Sequence, residues 1–281
     1  MTVRTLMCFG YGYTAKYLAK NVSVSKWKII GTNRDPETNF DPENKNVRLL
    51  TWPDPQFRPP QADAVLISVP PNDKTCPVFA QLDQLKNCFG SKTWIGFLSS
   101  TGVYGDLGGG WAFEETPIKP LSTEAKNRAI AERQWQDIGA HIFRLPGIYG
   151  PGRSTFDRIR SGKSRRIIKQ GQIFSRAHVE DIADLLARSI AKPNPGRIYN
   201  VADDVPCSPQ ELIEHGAKLL GVDPPPAVAF EDAGLPLKAQ RFYSECKRIS
   251  NARAKSELGW RPKYPSYREG LPAILQAETS N

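Results

Sequence analysis

The feature that most constrains this chain is a glycine-spaced turn, Gly10-Tyr11-Gly12-Tyr13-Thr14-Ala15. It lies directly between an apolar run, Thr5 to Phe9, and a stretch of helical periodicity, Thr14 to Lys20. A second apolar run follows at Lys28 to Thr32, so strand, helix and strand make one crossover unit of about 30 residues. The spacing has a physical logic. A first glycine permits the tight turn, a second lets an anionic bridge approach the backbone, and a small Ala15 lets the helix pack closely on the strand. The free N–H groups and positive dipole end of the helix then face that anion. The pattern predicts a dinucleotide pyrophosphate held by Gly10, Gly12, Tyr13 and Thr14.

Two more apolar, β-branched runs, Ala64 to Val69 and Trp94 to Ser99, alternate with helical patterns, and alternation of this kind predicts a parallel sheet. A helix from Thr123 to Ile138, with Ser122 and Thr123 as candidate N-caps, leads into a strand at His141 to Leu145. The turn-rich Pro146 to Gly152 marks an excursion into a second lobe. Val179 to Ala191 reads as a returning helix, Ile198 to Val201 as a short strand, and Pro209 to Leu220 as a helix ended by Gly221. The fold class expected is α/β, a Rossmann-type doubly wound parallel sheet with a smaller C-terminal substrate-binding lobe. Residues 1–145 form the core, 177–204 return to it, and 146–176 with 205–281 form the lobe.

The second strand runs out into Gly31-Thr32-Asn33-Arg34-Asp35, where this architecture meets the adenosine ribose. An acidic residue there favours NAD and an arginine favours the 2′-phosphate of NADP. Asn33 and Arg34 point to NADP, while Asp35 leaves NAD open. Ser68, Val69 and Pro70 end a strand on the carboxyl edge of the sheet, the edge where ligands of open α/β sheets sit.

Lys and Arg number 38 against 29 Asp and Glu, a formal charge of +9, which suits an anionic small molecule. The basic residues are spread out, and no nucleic-acid motif accompanies their local cluster at Lys163, Arg165, Arg166 and Lys169. Neither nucleic acid nor membrane is an expected partner, because no run approaches the ~18 apolar residues of a bilayer span. The first residues lack the apolar core and cleavage site of a secretory signal, and a cytoplasmic location is expected. The five cysteines are scattered without a C-x-x-C pair, and the three histidines share no ligand spacing, so neither a disulfide framework nor a metal site is predicted.

Several segments resemble, in order, those of the extended short-chain dehydrogenases/reductases, the NAD-dependent epimerase/dehydratase-like class. They are Leu98-Ser99-Ser100-Thr101-Gly102-Val103-Tyr104-Gly105-Asp106, Arg144-Leu145-Pro146-Gly147-Ile148-Tyr149-Gly150-Pro151-Gly152, His178-Val179-Glu180-Asp181-Ile182-Ala183, Tyr199 to Asp204, and Ser250 to Trp260. The resemblance implies hydride transfer at a site where a Ser or Thr, a Tyr and a Lys surround the nicotinamide. Ser100 falls on the Ser/Thr position. With Glu132 on the Glu that follows the Tyr-x-x-x-Lys pair, Glu124 stands at the Tyr position and Arg128 at the Lys position, so both usual catalytic residues have changed.

That change matters, because the Tyr is the acid or base and the Lys lowers its pKa. Arg128 keeps the charge and a ribose contact but stays protonated. Glu124 could shuttle a proton, or the two could be merely exposed neighbours at i, i+4. Tyr104 is a candidate substitute acid, and Thr101 stands where dehydratases carry an Asp, which disfavours sugar dehydration. The resemblance also places Ser99, Arg128 and Pro146 along the cofactor, and turns Arg153, Lys163, Arg165, Arg166 and Arg176 toward the substrate, where a pyrophosphate or carboxylate would suit them. His178 is expected to be structural. The leading expectation is an NADP-preferring oxidoreductase acting on a small carbonyl or hydroxyl compound. An epimerase that retains its cofactor and a non-catalytic dinucleotide-binding regulator are the alternatives, and pairing into a homodimer stays open.

Overall fold

Seven strands, β1 (Arg4–Phe9), β2 (Trp27–Asn33), β3 (Val47–Thr51), β4 (Ala62–Ile67), β5 (Phe89–Ser100), β6 (His141–Leu145) and β7 (Ile198–Asn200), pair into one parallel sheet. The computed structural model describes residues 2–22, 25–35, 46–72 and 75–279, and of Lys238 the main chain only. The strand order is β7-β6-β5-β4-β1-β2-β3. The chain therefore winds outward from β1 in one direction and then, from β4, in the other. Where it reverses, the loops after β1 and β4 diverge and leave a crevice at the carboxyl edge.

Both faces of the sheet are covered, which is why its inner strands read as continuous apolar runs rather than alternating ones. Helices α1 (Tyr13–Asn21), α2 (Thr123–Asp137) and α3 (Val179–Ala191) supply most of that cover. Leu6 and Cys8 of β1 face one layer, shared with Leu18 of α1 and Ile182 of α3. Met7 and Phe9 face the other, shared with Trp52, Phe57 and Trp135 of α2. The strand β3 was not expected from the sequence. It is a half-exposed edge strand interrupted by Arg48, too polar to stand out as an apolar run.

Helix ends follow local chemistry. Ser122 Oγ accepts from the N–H of Ala125 at 3.1 Å, and His178 Nδ1 accepts from the N–H of Glu180 at 3.3 Å. Ser208 and Glu211 form a capping box at the start of α4 (Pro209–Leu220), which ends at Gly221 with φ +67°. In the second lobe, short parallel pairs join Gly147–Tyr149 to Arg176–His178 and Arg166–Ile168 to Ala227–Ala229, next to α4 and the short α5 (Leu237–Tyr243). Ala254, Leu258 and Trp260 pack into the core layer of α1 and α3, where Trp260 Nε1 donates to the Asp181 carbonyl at 3.1 Å. Among the described residues no helix is long and apolar enough to cross a membrane.

Candidate active site

The turn after β1 has the shape its spacing predicts. Gly10 has φ +85°, and a Cβ there would stand 2.9 Å from Ser68 Oγ and 3.1 Å from the Val69 nitrogen, so only glycine fits. Its N–H donates to Thr32 Oγ1 at 3.1 Å, and its carbonyl accepts from Ser68 Oγ. Gly12 caps α1 without a side chain, the first turn holds no acid, and nothing lies within 4 Å of where a Gly12 Cβ would be. The turn thus offers open space against the positive end of a helix, a fit for a pyrophosphate. Tyr13 donates its hydroxyl to the Pro151 carbonyl at 2.9 Å, tying the turn to the second lobe. Asn33 reaches the Tyr11 carbonyl at 3.5 Å, and Arg34 is exposed just past β2. Val69 and Pro70 follow the end of β4, two residues earlier than the sequence predicted.

A cavity of about 470 Å³ opens at the end of β5. Ser100, Thr101, Ser122, Glu124 and Pro146 line it together with Phe174, Arg176, Arg241, Phe242 and the ion pair of Glu245 and Lys247. Ser100 Oγ accepts from the N–H of Gly102 at 3.1 Å, which turns the chain sharply after the strand. The first turn of α2 packs against this turn: a Cβ on Gly102 would be 3.4 Å from Ser100 Oγ and 3.6 Å from Ala125 Cβ. That packing brings Glu124 to the same cavity as Ser100. One helical turn on, Arg128 is not an exposed neighbour of Glu124. It turns inward beneath β5 and donates to the Leu98 carbonyl at 2.8 Å. Burial lowers its pKa, yet a guanidinium stays charged.

Tyr104, a candidate acid, and Ser99, expected along the cofactor, have side chains that face the core. Tyr104 is fully buried and lies outside the cavity wall, its hydroxyl donating to Asn200 Oδ1 at 2.8 Å and accepting from Arg144 Nη1 at 3.0 Å. Burial pushes its pKa up, and no substrate oxygen can reach it. Ser99 is buried with its hydroxyl 2.5 Å from Glu132 Oε1, so its side chain faces the core rather than a cofactor.

Both belong to a network that sequence reasoning did not identify. Arg144 donates to both carboxylate oxygens of Glu132, the closest contact being 2.7 Å, with both side chains 4% exposed. Burial alone would lower the Arg144 pKa, but Glu132 and then Tyr104 outweigh it and hold it raised. The available signal was a charged residue inside the otherwise apolar His141–Leu145 strand.

His178 is structural, as expected. It is 1% exposed, caps α3, and packs its ring 4.1 Å from that of Tyr264. Burial depresses its pKa to about 4, below the ~6.5 of an unfolded histidine. The folded state therefore binds fewer protons between those values, and stability present above pH ~6.5 is lost as pH falls toward 4. Urea titrations should show wild type losing roughly 2 kcal/mol more than His178→Asn between pH 7 and 4.5. Parallel losses would assign the acid sensitivity to another group.

The basic cluster divides. Arg176 reaches the Ser100 cavity, Arg153 and Arg165 border a neighbouring one, and Arg166 pairs with Glu214 at 2.5 Å. Lys163 lines neither cavity.

No protein-family model matches the sequence. A functionally unknown protein from Silicibacter pomeroyi DSS is 44% identical, with a TM-score of 0.89 over 98% of this chain and 99% of that one. The dTDP-glucose 4,6-dehydratase of Bacillus anthracis, solved in complex with NAD, has a TM-score of 0.78 at 17% identity, covering 99% and 97% of the two chains. A 3-diazoavenalumate denitrifying reductase from a Streptomyces species is 28% identical over 156 residues, 51% of this chain and 51% of that protein. The match thus spans about half the length of that curated relative. The chain belongs to one family with the Silicibacter pomeroyi protein, and its fold is that of the extended short-chain dehydrogenases/reductases of the NAD-dependent epimerase/dehydratase type.

Proposed function

We propose that the protein is an NAD(P)-dependent oxidoreductase that acts on a small carbonyl or hydroxyl compound in the Ser100 cavity. The observation that carries the reading is the placement of two features on one carboxyl edge: the open Gly10–Gly12 turn after β1 and the Ser100–Glu124 cavity after β5. When bound, the nicotinamide supplies or accepts the hydride. Ser100 Oγ–H donates to the substrate oxygen and orients it. Glu124 carries the proton to or from that oxygen, the task left open by a chain without the usual tyrosine. Arg128, held on the Leu98 carbonyl, keeps a fixed positive charge beneath the same strand. Arg176 and Arg241 also line this cavity and suit an anionic substrate, while the Lys247 ammonium beside them is paired with Glu245. A Streptomyces relative that is a reductase and a B. anthracis structure that holds NAD agree with this chemistry.

NADP is the preferred dinucleotide in this reading, because Arg34 stands exposed past the end of β2, where a 2′-phosphate would lie. Calorimetric titration with NADPH and NADH should show NADPH binding about tenfold tighter or more, a difference of ~1.4 kcal/mol. Arg34→Ala should erase that difference. Binding of neither dinucleotide would refute the assignment.

A further inference from the structure

We propose that the second lobe holds a subsite for the apolar body and carboxylate of the substrate, adjoining the Ser100 cavity. This rests on the oxidoreductase reading and adds a substrate class to it: an acyl or aryl carboxylate carrying the reactive oxygen at its other end. A second cavity, of about 770 Å³, abuts the first at Gly147, Arg176 and Phe242. A molecule laid across that border reaches both, and the volume is that of a typical small-ligand site.

The walls of this cavity set the chemistry. Leu212 and Ile213 of α4, Leu235, and Ala239 of α5 make it largely aliphatic. Four guanidinium groups, of Arg153, Arg158, Arg165 and Arg176, also border it, and no Asp or Glu does. Among the described residues none of the four forms a salt bridge. Arg165 is held by the Ala233 carbonyl at 2.9 Å, Arg176 by the Phe174 carbonyl at 3.2 Å, and Arg153 lies over the Tyr13 ring. The Arg158 guanidinium makes no hydrogen bond among the described residues, and its electrostatic neighbour is the buried phenol of Tyr243. Asp203, whose N–H donates to the Arg176 carbonyl at 2.7 Å, does not line the cavity, and burial pushes its carboxyl up to about 8 against the pull of Arg176.

A free phosphate would satisfy the arginines and leave the aliphatic walls in water, whereas an alkane would do the reverse. An apolar carboxylate meets both demands, with a planar anion matched to a guanidinium fork. The lining also has no Asn or Gln, and with no acidic side chain it is poorly equipped to read a nucleobase edge.

The test is calorimetry on the full chain with decanoate, decanol, inorganic phosphate and UDP, each with and without NADPH, using wild type, Arg158→Gln and Ile213→Trp. Decanoate is expected to bind wild type at least tenfold tighter than decanol, phosphate or UDP, and to lose at least tenfold in both variants while NADPH affinity holds. Absence of decanoate binding, equal binding by all three proteins, or a preference for UDP would overturn the subsite. NADPH affinity keeps the two readings apart. NADPH bound without decanoate removes only the subsite, and decanoate bound without NADPH removes only the oxidoreductase.

Discussion

Arg144→Met is expected to destabilise the folded protein by about 3–5 kcal/mol, because it leaves the Glu132 carboxylate buried without its partner. Both side chains are 4% exposed, and the guanidinium also serves the Tyr104 hydroxyl and the Glu114 carbonyl. At so low an exposure the loss should approach the full cost of an uncompensated buried charge. Glu132→Leu alone should cost a similar amount. The double variant should recover much of either loss, since an apolar pair of like volume avoids desolvating two ions. Urea unfolding of wild type, the two single variants and the double variant checks this. Additive losses, or a single-variant loss below ~1 kcal/mol, would mean that the pair is not coupled as its geometry implies. The network joins α2, β5, β6 and β7 and supports the Ser100 turn from below.

Glu124→Gln is expected to lower kcat/KM by about 10²- to 10⁴-fold, the usual share of a positioned acid or base, while the NADPH dissociation constant changes little. Gln keeps the shape and the hydrogen-bonding reach of Glu but cannot carry a proton. The measurement is the steady-state rate across pH with whichever carbonyl compound sustains NADPH oxidation by the wild type. The limb of the wild-type profile that reports the Glu124 ionisation should disappear in the variant. A rate within threefold of wild type, or an unchanged profile, would return proton transfer to solvent. Ser100→Ala, by comparison, removes a hydrogen bond to the reacting oxygen and should cost about 10²- to 10³-fold at all pH values. That contrast separates a proton carrier from an orienting donor.

The two residues show how unevenly a site is written into its sequence. Gly10 and Gly12 were legible because the turn they form is local: a positive φ and an open helix end lie within one six-residue stretch, although the close approach at Gly10 comes from Ser68 and Val69. Helix limits were legible where a cap marked them, as at Ser122, His178 and Ser208. The pairing of Tyr104 and Ser99 was hidden because their neighbours along the chain say nothing of Arg144 and Glu132, which reach them from β6 and α2. The edge strand β3 went unseen because it is half-exposed and lacks a continuous apolar run.

By itself, then, the sequence determined the parallel α/β layering and the glycine turn after β1, since periodicity and turn chemistry act over short stretches of chain. Tertiary structure alone decided which polar groups are buried against one another and which face a cavity. Arg128 and Glu124 are one helical turn apart, yet one lies beneath a strand and the other lines the site with Ser100. Burial and pairing of charge depend on contacts between distant segments, and those contacts exist only once β5, β6 and α2 have packed.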